Sequence, residues 1–130
     1  MAVRGIRGAV TASANTKEAI VKATTELLRE LVAANGVATR DIAAVFFTTT
    51  PDLNAEFPAS AARSLGWRDV PLLCGHEIAV PEALAGCIRV MLLVNTEHAQ
   101  SDVRHIYIGG AASLRPDLSR ADQSESQRTS

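Results

Sequence analysis

The chain has 130 residues, enough for one domain with a sizeable core. It is 47% hydrophobic but only 4% aromatic, so the core is expected to be aliphatic. Thirteen basic against fourteen acidic side chains leave a formal charge of -1, with no basic stripe suited to nucleic acid or an anionic membrane. The opening MAVRGIRGAV carries arginines where a signal peptide needs its apolar run, and no stretch reaches transmembrane length. Two cysteines at unrelated positions make no disulfide framework, and a reduced, cytoplasmic setting is the expectation.

Residues 2–10 read as a first strand. With a period of two, Val3, Gly5, Arg7 and Ala9 share one face, and Arg4, Ile6, Gly8 and Val10 the other. Arg7 thus stands between small residues. A long helix follows, with Asn15 as its expected N-cap and Glu18 completing a capping-box pattern. Ile20, Thr24, Leu27, Leu28, Leu31 and Val32 form its apolar stripe, and Asn35-Gly36 its stop.

Asp41 to Thr50 contains a continuous apolar run, Ala44 to Phe47, suited to a strand covered on both sides. Pro58 to Leu65 reads as a short helix closed by Gly66. Val70 to Glu77 is a third strand and Cys87 to Val94 a fourth, with a single helical turn expected over Pro81 to Gly86 between them. Arg104 to Ile108 is a fifth strand. From Ser119 the chain is polar with almost nothing to bury, so residues 1–118 form the expected domain and 119–130 a disordered tail. The order β-α-β-α-β-β-β indicates an α/β, α+β-like fold: a five-stranded sheet with one long and one short helix mainly on one face. Two helices hardly cover five strands, so the open face should expose an apolar patch that favours oligomerisation.

The usual catalytic signatures are missing: no GxSxG, CxxC or HExxH, and no Gly-rich phosphate loop. His76, His98 and His105 lack metal-ligand spacing, and Cys74 has no identifiable histidine partner. What remains is a set of arginines. Arg63 alone reads as a solvated helix residue or a salt-bridge partner, Arg115 as a partner for Asp117, and Arg7 as a partner for a carboxylate at a subunit contact. Arg89 is different. It interrupts the apolar run CIRVMLLV, its face carries Cys87, Met91 and Leu93, and its flanks offer no acid. Burying an unpaired guanidinium costs several kcal/mol, so either Arg89 reaches solvent or an anion is meant to meet it, and its apolar company favours the anion. Glu77 poses the mirror-image problem, a carboxylate closing an apolar strand. Several arginines with one glutamate suit a small, multiply anionic ligand that also carries a hydroxyl, because guanidinium forks bind carboxylates at two points.

These residues bring a family into view. The segments Arg4-Gly5-Ile6-Arg7-Gly8-Ala9, Thr50-Pro51-Asp52-Leu53, Phe57-Pro58-Ala59, Gly66-Trp67, Val70-Pro71, Cys74 with Glu77, Cys87 to Met91, Arg104 to Tyr107 and Leu114 to Leu118 occur in order along residues 3–118. Together they resemble an AroH-class chorismate mutase. The resemblance implies a mixed sheet, a homotrimer whose sheets face inward as a pseudo-barrel, and rearrangement of chorismate to prephenate without metal or cofactor. It also implies roles. Arg89 would stand beside the substrate's ether oxygen, Arg7 would bind a carboxylate, Glu77 the ring hydroxyl, and Tyr107 a carboxylate, with Leu72, Leu73 and Cys74 close to the ring. Phe57, Arg63 and Leu114 would come from the neighbouring subunit, and Arg115 would help close the pocket. Ser60 stands where the family often has a lysine, and Leu72-Leu73 where a pair ending in threonine is common.

The chemistry agrees with a chain that lacks an evident acid, base or nucleophile. A pericyclic rearrangement needs the dianion held in its compact conformer and the charge growing on the ether oxygen stabilised. A fixed guanidinium in a water-poor setting would supply roughly 3–4 kcal/mol of that stabilisation. Two other classes fit some of the residues. A trimeric imine or enamine deaminase would use Glu77 to position water and would release ammonia. A non-catalytic trimer binding a small acid would show saturable binding without turnover.

Overall fold

The computed structural model describes residues 1–114. Arg115 and the expected tail at 119–130 lie outside the described residues. Strand β1 (Ala2–Thr11) leads into helix α1 (Lys17–Asn35), strand β2 (Ile42–Thr49), helix α2 (Ala59–Ser64), and strands β3 (Leu72–His76), β4 (Cys87–Thr96) and β5 (Ile106–Ile108). A last 3-10 turn covers Gly109–Leu114. The five strands form one mixed sheet in the order β3-β2-β4-β1-β5. β4 runs antiparallel to both β1 and β2, while β2–β3 and β1–β5 are parallel pairs. The β2–α2–β3 segment makes the crossover that a parallel pair requires.

Both helices pack on one face. Ile20, Leu27, Leu28 and Leu31 of α1 are fully buried against Ile6, Phe47, Ile88 and Leu92 of the sheet, and α2 adds Ala61 and Ala62 to the same core. Gly8 is what lets α1 lie so close to β1. A Cβ there would meet Leu27 Cδ1 and Leu31 Cδ1 at 3.0 Å and the Ile106 carbonyl at 3.1 Å. Helix α1 stops at Gly36, whose φ of 58° is the left-handed cap that glycine adopts without strain.

Several expectations need correction. The N-cap of α1 is Thr16, whose hydroxyl accepts the Ala19 N–H at 3.1 Å. Asn15 turns instead to the β2–α2 loop. β2 is covered on one face only, and Phe46 on the other is 41% exposed. Residues 81–86 form a turn and bends, not a helical turn, and β3 and β5 begin two residues later than their compositions suggest. Short edge strands pair over fewer residues than their apolar composition covers.

Candidate active site

The apolar run of β4 conceals an alternation. Ile88, Val90, Leu92 and Val94 are buried beneath the helices, while Cys87, Arg89, Met91 and Leu93 occupy the opposite face. Arg89 therefore escapes burial under α1, and its side chain is 50% exposed. The water-poor setting expected from its neighbours in sequence is not formed by the single chain. On β1 its cross-strand partner is Ala9, and on β2 it is Thr48. Ala9 in turn neighbours Tyr107 of β5. Small residues beside the arginine leave room above the sheet.

Glu77 extends the β2–β3 ladder by one residue, its N–H donating to the Thr49 carbonyl at 2.8 Å. The Thr48 hydroxyl donates to Glu77 Oε2. The same oxygen lies 3.8 Å from Arg89 Nε. Arg7 stands one row along the open face, opposite Met91, and makes no ion pair with any described residue. Its N–H donates to His105 Nδ1 at 2.9 Å, tying β1 to the entry into β5. Tyr107 is buried in a small second cluster with Ala9, Cys87 and Ala111.

Arg7, Glu77, Arg89 and Tyr107 line one cavity of about 270 Å³, with Phe46 and Met91 supplying apolar wall. Two guanidiniums against one carboxylate leave this cavity net positive, and the phenol adds a neutral donor. Such a lining suits a small anion with an apolar part. Neither cysteine supplies a ready thiolate. Burial pushes both thiols above their ordinary range, and at Cys87 the nearby Arg89 guanidinium offsets this only in part.

The other expected site residues lie elsewhere in the chain. Phe57 and Cys74 line a second cavity of about 350 Å³ along the β3 edge, together with His76 and Asn54. Cys74 and Leu72 point to the helix side and pack against the main core. Leu73 points to the open face and is 62% exposed. Arg63 is exposed on α2, its guanidinium donating to Ser60 Oγ at 3.3 Å. Leu114 ends the last 3-10 turn, and Arg115 lies outside the described residues.

Sequence reading missed Thr48 and Phe46. Thr48 is one of three successive threonines, and only the register that sets it opposite Arg89 singles it out. Phe46 sits in a run that is apolar on both faces, a pattern that predicts core.

Fold and cavity together define a small α/β protein whose open sheet face carries a guanidinium-lined cavity with the charge to suit an anionic small molecule. The family model for chorismate mutase type I matches residues 3–118. "Chorismate mutase AroH" of Thermus thermophilus is 51% identical over 120 residues, covering 92% of this chain and 98% of that protein. Its counterpart of the same name in Bacillus subtilis is 42% identical over 126 residues, covering 96% and 99%. The structure of a chorismate mutase from Clostridium thermocellum superposes with a TM-score of 0.84 at 48% identity, covering 85% of this chain and 98% of that one. The chain belongs to the type I chorismate mutase family. Its activity is accordingly that of an isomerase acting on chorismate, and the deaminase and non-catalytic readings fall away.

Proposed function

We propose that chorismate is rearranged to prephenate in the cavity between Arg7, Glu77, Arg89 and Tyr107. Arg7 and the Tyr107 phenol hold the carboxylates, and Glu77 accepts the ring hydroxyl. Arg89 faces the ether oxygen that becomes negative as its C–O bond breaks. No proton transfer is required. The protein selects the compact conformer and sets a fixed positive charge beside the growing negative one. The observation that carries this reading is the convergence of two cations, one carboxylate and one phenol, from four separate strands or strand ends, on a single cavity.

The active assembly on this reading is a homotrimer, and the half-exposure of Arg89 supports it. A guanidinium in contact with bulk water stabilises a transition state weakly, so the site needs a cover. The open face also exposes Val3, Phe46 and Leu73, an apolar patch that a second copy would bury. Phe57, Arg63 and Leu114 of the neighbouring subunit would line the pocket and Arg115 would help close it, and Cys74, which shares its cavity with Phe57, would come with Phe57. No described helix is long and apolar enough to cross a membrane. A cytoplasmic setting is part of the same proposal.

Two measurements test the reading. Light scattering on the eluting protein is expected to give three times the 13.8 kDa chain mass. Titration of the isotopically labelled protein with prephenate is expected to shift the resonances of Arg7, Glu77, Arg89 and Tyr107 first. A monomer with full turnover overturns the trimeric site, and shifts confined to another surface overturn the location.

A further inference from the structure

We infer that Thr48 is a positioning residue of the site, holding Glu77 off Arg89 so that both keep their polar groups for the substrate. This rests on the roles of Glu77 and Arg89 proposed above. A glutamate and an arginine this close have an evident collapsed arrangement, the fork in which both carboxylate oxygens take guanidinium N–H groups. That fork is not formed. Arg89 Nε lies 3.8 Å from Glu77 Oε2, beyond hydrogen-bond range.

What occupies the oxygen instead is the Thr48 hydroxyl. A carboxylate can only accept, so the hydroxyl must donate, and its orientation is set. Thr48 lies directly across from Arg89 in the β2–β4 ladder, on the same open face. The Glu77 backbone is pinned separately by its N–H to the Thr49 carbonyl, so side-chain rotation is the freedom left to the carboxylate. Thr48, itself β-branched and restricted at χ1, removes that freedom. Oε1 accepts no hydrogen bond from any described residue, which leaves it for the ring hydroxyl. Without the Thr48 hydroxyl the carboxylate turns onto Arg89, neutralising the charge that works in the transition state and withdrawing the acceptor that orients the ring.

The test is a set of variants assayed for kcat and KM with chorismate. Thr48→Val keeps the shape and strand preference but loses the donor. It is expected to lower kcat about tenfold to a hundredfold, with KM moving less than about threefold. Thr48→Ser restores most of the loss. In a Glu77→Ala background, Thr48→Val costs less than about twofold more, because the group it positions is gone. Equal losses in both backgrounds, or near-normal kcat in Thr48→Val beside an impaired Glu77→Ala, overturn the role of Thr48 and leave that of Glu77 standing. Normal turnover in Glu77→Ala overturns the reading of Glu77 itself, and the inference with it. If Thr48→Val does not fold, Thr48→Ala against Thr48→Ser carries the same comparison.

Discussion

Arg89 Nε stands 3.8 Å from Glu77 Oε2, near enough for the charges to attract and too far for a hydrogen bond. With the two side chains 50% and 29% exposed, water screens most of that attraction. Such pairs contribute about 0–1 kcal/mol to folding. Stability is therefore a poor reason for the pair to exist. A double-mutant cycle with Arg89→Ala and Glu77→Ala, read by urea unfolding, is expected to give a coupling below about 1 kcal/mol. A coupling of several kcal/mol would make the pair a structural clamp.

Asn15 and Asn54 form a second relationship, far from the sheet's open face. The Asn15 amide donates to Asn54 Oδ1 at 2.8 Å, and Asn15 Oδ1 accepts the N–H groups of Asn54 and Ala55, each at 3.0 Å. One side chain thus anchors the loop that leads to Phe57. Asn15→Ala is expected to destabilise the fold by about 1–2 kcal/mol and to speed amide exchange at Asn54 and Ala55. Unchanged exchange there would show that the loop holds itself.

Gly8→Ala tests the close approach of α1. Its added methyl would meet two leucine methyl carbons at 3.0 Å and a backbone carbonyl at 3.1 Å. The leucines can give a little and the carbonyl cannot. A loss of about 1–3 kcal/mol is expected, seen as a lower Tm. A Tm equal to wild type would mean that the helix shifts without penalty.

Asp52 links pH to the far end of the sheet. Its carboxyl is held below the ordinary carboxylate value of 3.8, chiefly by the Thr50 hydroxyl, with the Gly86 N–H contributing a bond of 2.8 Å. A pKa lowered in the folded state stabilises above the unfolded value, and this contribution is lost as pH falls through the folded value. Stability curves of wild type and Asp52→Asn should therefore keep a constant gap well above a pH of about 4 and converge as pH drops below it. Curves that stay parallel across this range would remove Asp52 from the acid response.

How far these features were legible in sequence depended on how local their causes were. The α1 stripe and the Asn35-Gly36 stop follow from helical spacing and a left-handed cap, both short-range, and both are present. The choice between Asn15 and Thr16 as N-cap was not local. Either side chain can cap, but Asn54 and Ala55, some 40 residues on, engage Asn15 and leave the cap to Thr16. The run CIRVMLLV is apolar on both faces of β4, one for α1 and one for the open patch. Arg89 was the single residue that marked which face was open. Glu77 and Arg89 stood out as charges in apolar company, whereas Thr48 gained meaning only from its register with Arg89.

The role of the β4 guanidinium in the rearrangement is tested most directly by kcat of the Arg89→Ala protein. Arg89 lies on the sheet face away from α1, so circular dichroism and Tm should remain close to those of wild type. On the present reading kcat falls by at least about a hundredfold to a thousandfold, and Arg89→Lys recovers little because the planar fork is lost along with the geometry. A folded Arg89→Ala enzyme that turns chorismate over within about threefold of wild type would contradict it.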